Sequence, residues 1–434
     1  MSKIGIVYIT YDGAINSTCG VGVLSQYFIK SFPQVSSAIV ASHHVQLSLE
    51  VIAVRLNENG HGYSRAIKET TEKIAQNSGG NLNLIENGTN GKENYGRPVN
   101  WETVSKEAVK KIVVLSQKYD QLIVYLIDTP FLCAPYFARQ ANLKNTTFVL
   151  VPHSDVFSHF PDGFPLDRLG WEASAFTMVN VFNEVYLGQT SQYLINVLNE
   201  HYRIPAGKVI SLQTGLLLDD ARFQQLTDEE IEHKLSSYHI PVDKKLIFGV
   251  ARAVPYKGFE DLIQAFAILH KTNPDTHLVF IASPHRNSSS NIPELKRLIE
   301  LYDITNACTS IYDLDMELPR FMCQWKNTKI VAQLSHREPF GLVPEEVRVW
   351  ARKVGPVVVA SDIGGFKEQI EHGKDGYLVD PHDHKQVAEI FQIILEADNQ
   401  MIESIRAKGY ERCLKQYNYA DAVKASLESV LGKI

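Results

Sequence analysis

Two cations and two carboxylates in the second half of the chain are the residues best suited to act on phosphate and sugar groups. Arg252 and Lys257 stand five residues apart, directly after the apolar run at residues 246–250, and Glu338 precedes Glu346 by eight residues. An arginine offers a rigid fork of donors and a lysine a mobile point charge, which together suit the oxygens of a diphosphate. Carboxylates can accept hydrogen bonds from sugar or ribose hydroxyls. Taken alone, the two cations are more typical of solvated loop charges.

The segment between the two glutamates predicts a helix start that binds an anion. Pro344 suits the first position of a helix, and Glu346 would then lie in its first turn. Unpaired backbone donors and the helix dipole favour a phosphate at such a position. The donors would be the N–H groups of three consecutive residues, Gly341, Leu342 and Val343. Glu345 is equally well explained as a charge that complements the dipole.

Further candidates come from glycines and a histidine near predicted strand ends. Gly20 and Gly22 open a predicted helix in the first half, where a diphosphate or a reacting sugar could approach the backbone. Gly364 and Gly365 follow the apolar run at residues 357–360 and allow the same kind of approach. His153 directly follows another buried run, and we weigh a structural role for it equally with a functional one.

The elements that must position these residues are alternating strands and helices. Apolar runs separated by helical patterns predict parallel sheets that are covered on both faces. The pattern restarts after Pro205, which predicts an N-terminal Rossmann-like domain over residues 1–205 and a second one over 206–410. Residues 411–434 form a C-terminal helix that we expect to pack back on the first domain. Residues 77–100 are rich in Asn and Gly and predict a long loop or flap.

Bulk composition excludes several classes of protein. With 434 residues, 44% apolar and 21% charged, the chain is of ordinary globular composition and long enough for two domains. A net charge of −6 gives no support to a partner nucleic acid or an anionic membrane. Five dispersed cysteines without a Cys-x-x-Cys pair argue against a disulfide framework or a cysteine zinc site. No apolar run is long enough for an integral membrane span, so we expect a cytoplasmic protein.

Taken in order, these loops resemble those of retaining glycosyltransferases of the GT-B fold, family 4 type. The family's Arg-x4-Lys pair matches Arg252 and Lys257, and its Glu-x7-Glu motif matches Glu338 and Glu346. The residues between the glutamates match as well: Pro339, Phe340, Gly341, Leu342 and Val343. The likeness is strong over residues 246–380 and weaker in the first half, where it rests on Gly20, Gly22, His153 and the predicted strand end at 213–215.

The resemblance implies an α/β GT-B fold, in which two Rossmann-like domains with parallel sheets face each other across a cleft. It implies that Arg252 and Lys257 neutralise a leaving nucleotide diphosphate and that Glu346 holds ribose hydroxyls. Glu338 would contact the donor sugar and His153 its reacting side. The donor-binding set that follows from the resemblance is Gly20, Gly22, Arg252, Lys257, Glu338, Phe340, Gly341, Leu342, Val343 and Glu346.

The resemblance also implies the partners. They are a nucleotide diphosphate sugar, with UDP preferred, and a small-molecule, glycan or other hydroxyl acceptor that the sequence does not identify; the oligomeric state is equally unspecified. The nucleotide sugar is a substrate, and we predict no cofactor and no bound metal. Asp313 and Asp315 spell the D-x-D metal motif of the other main glycosyltransferase fold, but here they more simply open a helix.

Three alternatives stay open at the level of sequence. Residues 333–337 depart from the commoner pattern before Glu338 and are similar to the branch of trehalose synthases and phosphorylases, so a sugar phosphorylase on the same fold is one alternative. An NAD(P)-dependent oxidoreductase is another, although Ser25 stands where its third glycine would be. A non-catalytic sugar-binding relic is the third, against which the intact charged residues argue.

Overall fold

The computed structural model of the protein describes residues 1–58, 62–87, 98–160, 163, 165–284, 290–313 and 315–434. These residues form two compact units, each with its own parallel sheet. The first unit contains Met1–Leu217 and Asn418–Ile434, and the second contains Leu218–Tyr417. The two predicted Rossmann-like α/β domains are confirmed.

The sheet of the first unit is buried on both faces. Its strands are β1 (Lys3–Thr10), β2 (Gln46–Val54), β3 (Leu82–Ile85), β4 (Gln121–Ile127), β5 (Thr146–Val151), β6 (Val185–Gln189) and β7 (Val209–Ser211). They lie in the order β3-β2-β1-β4-β5-β6-β7, and every neighbouring pair is parallel. The helices between them are α1 (Gly20–His43), α2 (Arg65–Asn77), α3 (Pro98–Ser116), α4 (Ala134–Ala138), α5 (Val156–His159), α6 (Leu166–Val181) and α7 (Gln192–Tyr202). Because all strands run the same way, the loops after β1, β4, β5 and β6 meet at one edge.

The second unit repeats this architecture. Its strands are β8 (Lys245–Arg252), β9 (Thr276–Ser283), β10 (Cys308–Ile311), β11 (Thr328–Gln333), β12 (Val357–Ser361) and β13 (Tyr377–Val379), in the order β10-β9-β8-β11-β12-β13. Its helices are α8 (Asp228–Ser237), α9 (Phe259–His270), α10 (Ile292–Leu301), α11 (Leu318–Gln324), α12 (Val343–Trp350), α13 (Phe366–Gln369), α14 (His384–Glu396) and α15 (Asn399–Gln416). Strands β8 and β11 lie side by side at the centre, so the loops that follow them are neighbours.

The boundaries between the units differ from the predicted ones. The first boundary lies between Leu217 and Leu218 rather than after residue 205, because β7 pairs with β6 in the first sheet. The second lies after Tyr417 rather than after residue 410, because α15 continues to Gln416 in the second unit. The final helix, α16 (Tyr419–Leu431), belongs to the first unit.

Helix α16 packs on the first unit through aromatic and polar contacts. The rings of Tyr27 in α1 and Tyr419 lie 6.4 Å apart, and the hydroxyls of Tyr125 and Ser426 are 2.9 Å apart. The backbone N–H of Tyr419 also donates to the carbonyl of Leu216 at 2.9 Å. The chain thus returns to the unit in which it began.

The prediction of a single long loop over residues 77–100 is wrong in part. Residues Leu82–Ile85 form β3, which pairs in parallel with β2, and α3 begins at Pro98. Strand β3 is held by the buried carboxylate of Glu50, which accepts hydrogen bonds from the N–H of Asn81 and the side chain of Asn83. Residues 88–97 of the predicted loop lie outside the described residues.

No helix among the described residues is both long enough and apolar enough to cross a lipid bilayer.

Candidate functional site

The carboxyl edge of the second sheet carries the turn that holds Lys257. Strand β8 ends at Arg252, and a 3-10 turn, Pro255–Lys257, follows it. Gly258 then adopts a left-handed backbone with a φ of 69°, and a Cβ there would lie 1.8 Å from the carbonyl oxygen of Leu334. Glycine is required because no larger residue permits so close an approach. The turn is thereby fixed against the loop that follows β11.

Lys257 and Glu338 form a short ion pair at this edge. Lys257 Nζ lies 2.5 Å from Glu338 Oε2, and the two side chains are 13% and 16% exposed. Arg252 Nη2 donates to the hydroxyl of Tyr256 at 2.7 Å, and Lys257 Nζ lies 5.5 Å from the centre of the Tyr256 ring. Arg252, Lys257 and Glu338 therefore belong to one continuous set of contacts, although Glu338 comes from a different segment of the chain.

The turn after Glu338 presents backbone donors beside this ion pair. Gly341 has a φ of 78°, and a Cβ on it would lie 2.8 Å from Cγ of Glu338. Leu342 is the N-cap of α12, and Val343 is its first residue. Among the described residues, the N–H groups of Gly341, Leu342 and Val343 have no hydrogen-bond acceptor. Free amides at a helix start, together with the helix dipole, favour an anion at this position.

The two adjacent glutamates of α12 have different surroundings. Glu345 is fully buried, where its carboxylate is 2.9 Å from Arg348 Nη1 and accepts from the thiol of Cys413 at 2.6 Å. Glu346 is 15% exposed, and its Oε1 lies 3.9 Å from Nη1 of Arg222. Burial raises the pKa of Glu346, and Arg222 opposes that shift. Glu345 therefore stabilises the fold by a buried ion pair, while Glu346 keeps an exposed fraction for a ligand.

The side chain of Phe340 lies in the core beneath the Gly341 turn. Its side chain is 6% exposed, and its ring packs edge-on at 5.6 Å from that of Tyr417. Gln369 Nε2 donates to the carbonyl oxygens of Phe340 and Gly341, at 2.6 and 3.1 Å. The Phe340 ring is a core side chain that fixes the turn, and the donor-binding role predicted for Phe340 stays a prediction.

Gly364 and Gly365 also act on the protein's own backbone. A Cβ on Gly364, whose φ is 47°, would lie 2.2 Å from the carbonyl oxygen of Glu338. The N–H of Gly365 donates to that same oxygen at 2.9 Å. These two glycines therefore allow their segment to pack closely against the loop that carries Glu338.

In the first unit, His153 follows β5 at the carboxyl edge of the sheet and is partly exposed. Burial lowers the pKa of His153, and the charge of Asp128 opposes the shift. Asp128 itself directly follows β4, with a φ of 64°, and its N–H donates to the carbonyl of Val151 at the end of β5. Two neighbouring strands thus place an imidazole and a carboxylate near each other at one edge.

The two glycines at the start of α1 are unlike each other. Gly20 is the exposed first residue of the helix. Gly22 is buried, and a Cβ on it would lie 2.7 Å from the carboxylate of Asp12. That carboxylate accepts hydrogen bonds from the N–H groups of Thr18 and Cys19. The close approach at Gly22 is therefore to Asp12, and Gly20 alone of the two offers its backbone to a ligand.

Residues that the sequence reasoning missed are Asp12, Asp128, Arg222 and Tyr256. Asp128 and Asp12 follow strands, and that position was a usable signal. Arg222 lies in the 3-10 turn Ala221–Phe223, far from any motif, and reaches Glu346 only through the tertiary fold. The carbonyl of Arg222 accepts from Nε1 of Trp350 at 2.9 Å, which fixes the turn against α12.

Asp315 of the D-x-D sequence is engaged within the fold. Its carboxylate accepts from the N–H groups of Glu317 and Leu318 at the start of α11, at 2.7 and 2.9 Å. Lys234 and the hydroxyl of Tyr238 also donate to it, and these hydrogen bonds lower its pKa to about 2 against the opposing effect of burial. The middle residue, Leu314, lies outside the described residues.

Comparison with solved structures identifies the fold as GT-B. Sucrose-phosphate synthase from Thermosynechococcus elongatus superposes with a TM-score of 0.72 over 99% of this chain and 98% of that one, at 17% identity. The structure of Anabaena HepE in complex with UDP-glucose superposes with a TM-score of 0.68 over 99% of each chain, at 18% identity.

The family comparison concerns the second unit. Residues 230–412 match the family described as glycosyl transferases group 1, so this unit carries a domain of that family. The D-inositol 3-phosphate glycosyltransferase of Corynebacterium efficiens is 28% identical over 225 residues, which cover 51% of this chain and 51% of that protein. The chain thus spans about half the length of the curated D-inositol 3-phosphate glycosyltransferases of Corynebacterium efficiens and Corynebacterium glutamicum that it matches.

Proposed function

We propose that the chain is a retaining glycosyltransferase that moves a sugar from a nucleotide diphosphate sugar, with UDP as the preferred nucleotide, to a hydroxyl group of an acceptor. The observation that carries the proposal is the ion pair of Lys257 and Glu338 packed against the Gly341 turn, whose amides are free. Positive charge and unpaired donors at one place suit a diphosphate, and a carboxylate beside them suits sugar hydroxyls.

In this proposal, Lys257 and Glu338 exchange each other for parts of the donor when the donor binds. Without a ligand, each group neutralises the other at 2.5 Å. A diphosphate carries more negative charge than one carboxylate, so it draws Lys257 Nζ toward its own oxygens. Glu338 then accepts hydrogen bonds from the sugar, which replace the hydrogen bond from lysine. The donor thereby places its phosphate and its sugar on separate groups of the site.

The transfer step requires charge stabilisation more than a strong base. The bond between the anomeric carbon and the diphosphate oxygen breaks, and a bond from that carbon to the acceptor oxygen forms on the same face. The acceptor proton passes to the leaving phosphate oxygen. Arg252, Lys257 and the amides of residues 341–343 stabilise the negative charge that develops on the diphosphate, and preorganised groups of this kind commonly make the largest contribution to catalysis.

Two further residues have supporting roles in this proposal. Glu346 accepts hydrogen bonds from the ribose hydroxyls, and the charge of Arg222, at 3.9 Å, opposes the rise that burial causes in the pKa of Glu346. His153, whose pKa is lowered, presents a neutral imidazole that can exchange hydrogen bonds with a substrate hydroxyl at the edge of the first sheet.

The names of similar proteins support the substrate class. The Anabaena structure is described with UDP-glucose, and the curated relative is named for transfer to an inositol phosphate. These names agree with a nucleotide sugar donor and a hydroxyl acceptor.

A donor screen tests the proposal. The melting temperature of the purified chain is measured with UDP, GDP, ADP and their glucose conjugates, and nucleoside diphosphate release is then followed with a panel of acceptors. We expect stabilisation by uridine compounds, and product with the anomeric configuration of the donor by NMR. Release of sugar that depends on inorganic phosphate and needs no nucleotide would instead establish a phosphorylase.

A further inference from the structure

Three imidazoles surround one carboxylate close to the candidate site, and none of them has a part in the proposed transfer. Asp261 lies in the first turn of α9. His336 follows β11, His382 follows β13, and His384 is the first residue of α14. All four belong to the second unit, and they come from three separate segments of the chain.

Their nitrogen and oxygen atoms converge. His336 Nε2 lies 2.6 Å from Asp261 Oδ2, and His384 Nε2 lies 2.8 Å from Asp261 Oδ1. His382 Nδ1 lies 3.7 Å from Asp261 Oδ1, and its ring is 4.4 Å from that of His336. One ligand atom from each of Asp261, His336 and His382 falls within 4.8 Å of the other two.

Hydrogen bonds to Asp261 account for the positions of His336 and His384 but not for the position of His382. His336 and His384 lie at hydrogen-bond distance from the two oxygens of Asp261. His382 Nδ1, at 3.7 Å, is too far away for a hydrogen bond. His382 nevertheless lies next to His336 and faces the same carboxylate, as it would if the three residues shared a metal ion.

The spacing suits a small divalent ion. Two ligand atoms bound at about 2.0–2.1 Å in tetrahedral geometry lie about 3.4 Å apart. His336 Nε2 lies 2.6 Å from Oδ2 of Asp261 and His382 Nδ1 lies 3.7 Å from its Oδ1, so the two separations, to different oxygens of one carboxylate, fall on either side of that value. The side chain of His382 is 65% exposed, so its ring can move the remaining distance without disturbing the core.

We propose that Asp261, His336 and His382 bind one divalent transition-metal ion, with Zn²⁺ strongly preferred to Mg²⁺. Two imidazoles and one carboxylate suit such ions, whereas Mg²⁺ prefers an all-oxygen octahedron. His384 donates its Nε2–H to Asp261 and so orients the ligating carboxylate, the usual task of a group that contacts a metal ligand.

The ion's role would be to position two segments, not to take part in the transfer. The N–H of His336 donates to the carbonyl of Tyr256 at 2.8 Å, next to Lys257, and His336 precedes Glu338 by two residues. A metal that joins His336 to Asp261 would therefore hold the two segments that carry the Lys257–Glu338 pair. Metal binding can be tested whether or not the proposed function is correct.

Zinc titration by calorimetry, on the full chain after tag removal and chelator treatment, tests this inference. We expect one Zn²⁺ per chain, with Mg²⁺ in excess unable to compete. His336→Ala and His382→Ala should each weaken Zn²⁺ binding by at least ~10-fold. Loss of a group that merely contacts a metal ligand already weakens binding by about that factor, and these two residues are proposed to be ligands themselves. The matched control is His233→Ala, which removes an exposed histidine of α8 in the same unit and should leave the affinity unchanged.

Because His382 is exposed, its alanine variant should fold, and its melting temperature without metal should equal that of the parent chain. Binding of Co²⁺ should add visible absorption bands in the parent chain that are missing in His382→Ala. The inference is overturned if the parent chain binds no Zn²⁺, or if His336→Ala and His382→Ala bind it as tightly as His233→Ala. It is equally overturned if Cys19→Ser, rather than the histidine variants, abolishes binding.

Discussion

Nζ of Lys257 lies 2.5 Å from Oε2 of Glu338, and these two residues are 81 positions apart in the sequence. Their segments meet because β8 and β11 are adjacent parallel strands whose following loops share one edge. Both side chains are largely shielded from water, so removal of either partner leaves a charge with reduced solvation. The pair therefore couples the two halves of the proposed donor site.

Substitution of the two cations should reduce turnover. Lys257→Ala and Arg252→Ala are each expected to lower kcat with a nucleotide sugar by on the order of a hundredfold or more, by analogy with loss of one transition-state donor. Steady-state rates at saturating donor measure the effect. Lys353→Ala, at an exposed lysine of the same unit, is the matched control and should retain full activity. Near-normal rates in both site variants would contradict the assignment.

Substitutions of the two adjacent glutamates of α12 should have different effects, one on nucleotide affinity and the other on stability. Glu346→Ala is expected to raise the nucleotide Kd about tenfold or more, since it removes charge-assisted hydrogen bonds to the ribose. Glu345→Ala should instead destabilise the fold by about 1–3 kcal/mol, because it removes one buried acceptor of Arg348, which keeps its ion pair with Asp375. Calorimetry with nucleotide and thermal unfolding measure the two effects. The reverse pattern would show that the two roles are exchanged.

Gly341 can be tested against a glycine with the same backbone. Gly341 and Gly373 have φ values of 78° and 74°, so alanine at either should cost about 1 kcal/mol of stability or somewhat more. A Cβ at Gly373 meets nothing within 4 Å, whereas one at Gly341 meets Glu338 and Phe366 at 2.8 Å. Only Gly341→Ala should therefore lower turnover and donor affinity. Equal activity in the two variants would exclude a role for the turn.

Glu172 should make stability depend on pH. Burial raises its pKa from 4.5 to about 7, and Arg168, whose Nε lies at 2.6 Å, opposes the shift. The folded state then binds the proton more tightly than the unfolded state, so the free energy of unfolding falls as pH rises from about 4.5 to 7. The loss should be on the order of 3 kcal/mol, from about 1.4 kcal/mol per pKa unit.

Glu172→Gln keeps the shape of that side chain and removes its titration. Melting temperatures between pH 4.5 and 8 should fall more steeply for the parent chain than for the variant. Parallel profiles would mean that Glu172 ionises in the folded protein as readily as in the unfolded one.

The strands that the sequence did not reveal share one property. Both β3 and β10 lie at an edge of their sheets, are four residues long, and have a single buried residue. The central strands were predicted because burial on both faces requires continuous apolar runs. A short edge strand has no such requirement, and Asn83 in β3 instead hydrogen-bonds to Glu50.

The sequence by itself determined the alternation of strands and helices, apart from β3 and β10. It also placed Arg252, Lys257 and Glu338 near the ends of strands and Glu346 in the first turn of a helix. It could do so because apolar periodicity and glycine or proline act on the local backbone. The tertiary structure alone decided which of those side chains touch. It paired Lys257 with Glu338, buried Phe340, and gave Glu346 a partner in Arg222. It also brought Asp261 to three histidines. These contacts depend on packing between segments that are far apart in the chain, and no local pattern of residue types encodes that packing.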